Sequence, residues 1–229
     1  MLNGIFSFEC RMSDWLTWQV VDSAFPVGVF AHSWGLEAAW QAGHISKVES
    51  LEGFVSAAVQ QTAYGAVPLL AAAHRDVARW PELDALAEAF LLNRVTNRAS
   101  RIQGRTLVST AARVWPSARM TRLVGQARTC LAHVAPLSGV VFQAIGLTSE
   151  AAKKVMLYGT ARGVLSAAVR LGITGSYEAQ RIQHEVGPWL DRMLKECQWL
   201  EPEDICQTAP VLDLLQAGHD RLYSRLFQS

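Results

Sequence analysis

The apolar residues of this chain recur with a helical period almost from end to end. No run alternates with period two for long enough to make a strand. Leu83, Leu86, Ala87, Phe90 and Leu91 draw one such stripe, with Asp84 and Glu88 assigned to the wet side of the same helix. Pro81 just ahead of it, followed by an acidic residue, is a helix-start signature. Similar patterns predict helices over about 13–24, 32–42, 47–73, 105–114, 117–131, 138–145, 149–172, 176–197 and 210–226. Only 16 glycines and 8 prolines interrupt 229 residues, which favours long regular elements. The breakers at Pro26 to Gly28, Pro116, Pro136, Gly172 to Gly175 and Pro202 read as turns, none long enough to separate domains. The expected architecture is therefore all-α: a single-domain bundle of about eight to ten helices over residues 13–229, preceded by a segment, 1–12, to which no role is assigned. Gly159, Gly163 and Ala167 fall four residues apart, so one face of their helix is nearly bare and invites close approach of another backbone.

Half the residues are apolar, enough to bury a full core and to exclude general disorder. Residues 54–73 carry no charge and have the length of a membrane span. They are rich in alanine and include Gln60, Gln61, Tyr64 and Pro68, which fits a buried helix better. The first twelve residues carry Glu9 and lack a basic start and a small-residue cleavage site, against a signal peptide. Cys10, Cys130, Cys197 and Cys206 form no CxxC pair and no zinc spacing, as expected of reduced thiols in a cytoplasmic protein.

The net charge of +1 conceals a division. Residues 1–88 hold 10 acidic and 4 basic side chains, and 176–229 hold 9 and 5. Residues 89–149 hold eight arginines and no carboxylate. Within that stretch Arg94, Arg98, Arg101 and Arg105 share one helix face. Acidic helices of the same chain, an acidic protein or nucleic acid could each neutralise them. Nucleic acid fits least, for want of a high overall pI and of aromatic residues interleaved with the basic ones.

Known catalytic patterns are missing: no HExxH, GxSxG or phosphate-binding GxxxxGK[ST] is present. The most unusual segment is Asp22 to Glu37, where Pro26 and Gly28 force a turn between two helices. Asp22, His32 and Ser33 there read either as a catalytic trio or as two caps and a histidine wedged in a helix junction.

The block Asp22-Ser23, Phe25-Pro26, Gly28, Phe30 to Ser33 and Gly35-Leu-Glu37 resembles the signature of the UreF family of urease accessory proteins. Further matches follow in order: Arg98 with Ser100-Arg101 and Gln103-Gly104; His133, Pro136 and Gly139; Ala168 to Leu171 with Gly175 and Gln180. The last is the tail, Pro210 to Asp213, His219, Leu222, Arg225 to Phe227 and Ser229. Val29 stands where the family usually has a second glycine, and Val134 where an aromatic residue is common. The resemblance implies an all-α cytoplasmic protein with no active site, metal or cofactor of its own. It also implies a homodimer that binds the UreD (UreH) accessory protein, recruits the GTPase UreG and acts on apo-urease during nickel insertion. No membrane or nucleic-acid partner is implied. In such a family the C-terminal segment, about 200–229 here, becomes ordered on UreD. Asp22, Pro26, Gly28, His32, Arg98, Arg101, Gly104, His133 and Arg170 become the candidate functional or structurally decisive positions. His219, Leu222, Arg225 and Phe227 become candidate partner contacts. The competing reading is a helical enzyme acting on a phosphorylated substrate through Asp22, His32 and Ser33 or through the arginine stripe.

Overall fold

A computed structural model describes residues 14–26, 32–45 and 48–227. The 1–12 segment, Gly28, Val29, Phe30 and Ser229 lie outside the described residues. Among the described residues the chain is all-α, with short 3-10 turns and no strand. The helices are α1 Asp14–Val21, α2 Leu36–Gln41, α3 Val48–Gly65, α4 Val67–Arg75, α5 Trp80–Phe90 and α6 Arg94–Val114. They continue with α7 Ala118–Thr129, α8 Val134–Ile145, α9 Ser149–Arg170, α10 Ser176–Glu185, α11 Gly187–Glu196 and α12 Pro210–Gly218.

Two helices expected to be continuous are each divided by a proline. Pro68 has no N–H to give the Tyr64 carbonyl, which instead accepts the Cys206 N–H at 3.3 Å, and α3 ends at Gly65. Pro188 likewise leaves the carbonyl of His184 without its helical donor, and the chain restarts as α11. Helix α6 begins eleven residues before the expected Arg105, where Asn93 caps it by accepting the Val95 N–H at 3.0 Å. Its first turns are polar, so the apolar period there is faint.

Helix α9 runs through the middle, bordered by α1, α2, α3, α4, α8, α10 and α11. With buried residues facing both clusters, it divides the core in two. Leu70, Leu83, Met120, Leu137 and Val141 fill the side formed by α4 to α8. Leu36, Leu51, Val59, Val164, Ile182 and Met193 fill the side formed by α2, α3 and α9 to α12. Each such buried side chain contributes about 1.5–3 kcal/mol.

The bare face of α9 is open at Gly159. A Cβ at Gly159 would meet nothing within 4 Å, and Gly159 and Gly163 border an apolar cavity of about 260 Å³ instead. Close approach occurs at Gly139 of α8, where a Cβ would stand 2.2 Å from the Leu70 carbonyl oxygen of α4. Gly139→Ala must push these helices apart, and urea unfolding should show a loss of about 1–3 kcal/mol. Gly125→Ala, on the open face of α7 with nothing within 4 Å of the new Cβ, should be neutral or stabilising by up to about 1 kcal/mol in the same measurement.

Candidate interaction site

The junction between α1 and α2 is built from short-range bonds. Asp22 Oδ1 accepts the Ala24 N–H at 2.6 Å, closing a turn after α1. The Pro26 carbonyl accepts the Thr110 hydroxyl at 2.8 Å, which fastens the turn to α6. Trp34 and Gly35 both take left-handed backbone angles, with φ of 59° and 84°, so α2 starts only at Leu36 rather than near 32. Gly35 has a second reason to lack a side chain: a Cβ there would lie 2.6 Å from Cγ of Gln216 on α12.

This sharp entry turns Glu37 inward. Its side chain is only 2% exposed, and its carboxylate accepts three N–H groups from the C-terminal tail. These come from His219 Nε2 at 3.1 Å, from the Leu226 backbone at 2.6 Å and from the Phe227 backbone at 3.2 Å. His219 is wholly buried, and Nε2 is the ring nitrogen that faces the Glu37 carboxylate. Around this centre the tail is stitched down. Gln216 donates to the Trp34 carbonyl, Asn93 to the Asp213 carbonyl and Gln41 to the Ser224 carbonyl. Arg98 donates both Nη groups to Asp220, at 2.8 and 3.1 Å, and holds that carboxyl below its ordinary range. Arg225 reaches the same carboxylate at 3.4 Å, and the Arg170 guanidinium lies 4.4 Å from the centre of the Phe227 ring.

The tail is thus not one helix over 210–226. It leaves α12 at Gly218, makes a 3-10 turn over His219–Arg221 and continues without regular structure to Phe227. The Glu37 carboxylate takes the Leu226 and Phe227 N–H groups that a helix would have kept for itself. Of the tail positions singled out, His219 and Phe227 face the interior of their own domain. Leu222 is half-buried and Arg225 exposed.

Arg101, Gly104 and His133 belong to a second buried cluster, between α5, α6 and α8. Asp84, which the hydrophobic pattern places on the wet side of α5, is instead 2% exposed. Its carboxylate accepts the N–H groups of Ala132 and His133 at 2.9 and 2.7 Å, at the start of α8. Glu88, on the same supposed face, is half-exposed and meets His133 Nε2 at 2.8 Å. Asn97 and then His133 draw its carboxyl below the usual range, and the Arg101 charge adds to this. Ser100 Oγ lies 3.1 Å from His133 Nδ1, so serine, histidine and glutamate stand in line. The same hydroxyl accepts the Val134 N–H at 3.2 Å and is buried, which makes the line a structural tie between helices. Gly104 lets this happen: a Cβ there would lie 2.0 Å from the Ala132 carbonyl oxygen, at a residue whose φ is 65°.

Arg98, Arg170, His219 and Phe227 therefore converge on the tail, with His32 near enough for His219 and Arg98 to act on it electrostatically, while Arg101, Gly104 and His133 do not. Glu37, Asp84, Glu88 and Ser100 are structurally central residues outside the candidate positions, although Glu37 and Ser100 lie within the motifs. Glu37 closes the quoted signature block and could have been found there; nothing local marks Asp84. Among the described residues no group of histidine, cysteine and carboxylate side chains could hold a metal ion.

Two outcomes follow from this geometry. Glu37→Gln should weaken tail docking by roughly 2–4 kcal/mol, read as faster hydrogen exchange at the Leu226 and Phe227 amides with the α4–α8 core unchanged. Burial, helped by the nearby His219 and Arg98, lowers the His32 pKa from its ordinary 6.5 to about 4. The unfolded chain then binds a proton that the folded chain refuses between those two values. The stabilisation from neutral His32 is complete above pH 6.5 and falls away toward pH 4, by roughly 3 kcal/mol. In His32→Gln the pH dependence of urea unfolding across this window should be flatter than in the unaltered protein.

The sequence model of the UreF family matches residues 45–187. Urease accessory protein F of Arabidopsis thaliana is 38% identical over 232 residues, covering 98% of this chain and 96% of that protein. The protein of the same name from Oryza sativa subsp. indica is 36% identical, over 93% of this chain and 84% of that protein. Urease accessory protein UreF of a Bradyrhizobium species is 31% identical, over 96% and 91%. With the family model matching residues 45–187 and likeness running through nearly its whole length, the chain belongs to the UreF family of urease accessory proteins.

Proposed function

We propose that this chain is a non-enzymatic accessory protein of urease maturation, working in the cytoplasm as a homodimeric scaffold. In this reading it binds the UreD (UreH) accessory protein, recruits the GTPase UreG and acts on apo-urease while nickel, the cargo, is inserted. The observation that supports it most is the family likeness over nearly the whole chain. The tail adds a physical argument. Its inner side chains, His219 and Phe227, are committed to Glu37 and Arg170, while Val211, Leu214, Tyr223 and Leu226 are left exposed. A surface segment with that much apolar area outward is suited to a protein partner. Leu222 and Arg225 lie in the same segment and would join the contact.

Leu214→Asp with Tyr223→Asp alters only exposed side chains, so the melting temperature should stay close to that of the parent. Co-purification with UreD and activation of apo-urease by the UreD–UreG–UreF set should both be lost. An intact complex and full activation would refute the tail as the UreD contact. Turnover of GTP by the isolated chain, abolished by His32→Ala, would refute the non-enzymatic reading.

A further inference from the structure

The arginine stripe is only partly used within the chain. Arg98 is bound to Asp220, and Arg119 of α7 donates to the Gln143 side chain. Arg94, Arg105, Arg113, Arg122 and Arg128 are exposed and Arg101 is half-buried. None of these six makes an ion pair among the described residues. The carboxylate that feels Arg101, Glu88, already accepts from Asn97 and His133. Since 89–149 contains no acidic residue, α6 and α7 supply no carboxylate of their own. Arg94, Arg98, Arg101 and Arg105 occupy one face of α6 across three turns, about 16 Å.

We propose that the outward faces of α6 and α7 form a docking surface for an acidic helical segment of a partner protein. The chain displays the mode of recognition itself: Asp220, a carboxylate of the tail, is gripped by both Nη groups of Arg98, in the middle of the stripe. Arg94, Arg101 and Arg105 are the same group, on the same face, without such a carboxylate. Their straight row matches glutamates or aspartates spaced at i, i+3 or i+4, and i+7 along a partner helix. Ile102, 41% exposed beside Arg101, offers an apolar contact that a helix with one leucine can use and a phosphate backbone cannot. No aromatic side chain lies between Arg94 and Arg113 on which a base could stack. Charge complementarity thus favours protein over nucleic acid. The proposal stands on this surface alone and does not depend on the urease role.

The test uses the full chain and three fluorescent probes: a capped helical peptide with glutamates at i, i+4, i+7 and i+11 and one leucine, its glutamine counterpart, and a single-stranded oligonucleotide of equal charge. The glutamate peptide should bind saturably at low ionic strength, weaken as salt shortens the Debye length, and outcompete the other two. Arg94→Ala/Arg101→Ala/Arg105→Ala should weaken it at least about tenfold, the scale of a few exposed charge pairs. Arg94→Ala/Arg105→Ala, confined to exposed positions, guards against a folding defect and should show a smaller loss in the same direction. Lys154→Ala/Lys195→Ala, on α9 and α11, should leave binding unchanged. No binding of the glutamate peptide, equal binding by the triple variant, or an oligonucleotide that binds as tightly as the peptide would each overturn the proposal.

Discussion

The conformation of the C-terminal tail follows from a single buried carboxylate. Glu37 is sealed from solvent, and an ionised carboxylate in that position is tolerable only when hydrogen-bonded. Its own helix cannot supply the donors, because α2 is six residues long and begins at a left-handed turn. The donors come instead from a segment about 190 residues away, two of them backbone N–H groups that exist for Glu37 only if the tail abandons the helix. Breaking one side of such an arrangement costs more than the arrangement contributes, since it strands a charge.

Asp84 repeats the device on the other side of α9. Two N–H groups at the start of α8 have no helical acceptor, and the Asp84 carboxylate meets both. Gly104 removes the one side chain that would keep the Ala132 carbonyl away. In both clusters a carboxylate on one helix collects backbone donors from a remote segment, and a glycine clears the approach: Gly35 beneath α12, Gly104 beneath the entry to α8. The motifs that mark the family in the sequence are in large part these anchoring points. That explains why residues scattered from 22 to 227 can be read as one signature.

This division of labour also separates stability from association. His219 and Phe227 hold the tail, so what it presents outward is Leu214, Tyr223 and Leu226. Along α6, Arg98 is spent on Asp220, whereas Arg94 and Arg105 on the same face are exposed. A helix can do both jobs because positions on one face share direction but not necessarily partners.

That the chain is helical, roughly how many helices it has and which residues form the signature can all be read from local pattern. A period of 3.6 and the spacing of breakers are local properties, legible without knowing what packs where. Where α3 and α10 stop is not legible in that pattern, because a proline inside it can kink or break a helix, and in α3 the carbonyl that the proline orphans finds another donor. For Tyr64 that donor is Cys206, known only from the fold. The start of α6 escaped because its first turns are polar and its cap is a single asparagine. Asp84 lies inside although the pattern points it outward, because periodicity sorts side chains by polarity, whereas burial depends on what lies opposite, here the Ala132 and His133 N–H groups just ahead of α8. Glu37 and the path of the tail were decided by tertiary structure alone, since a carboxylate shows its need for donors only once the core has closed over it.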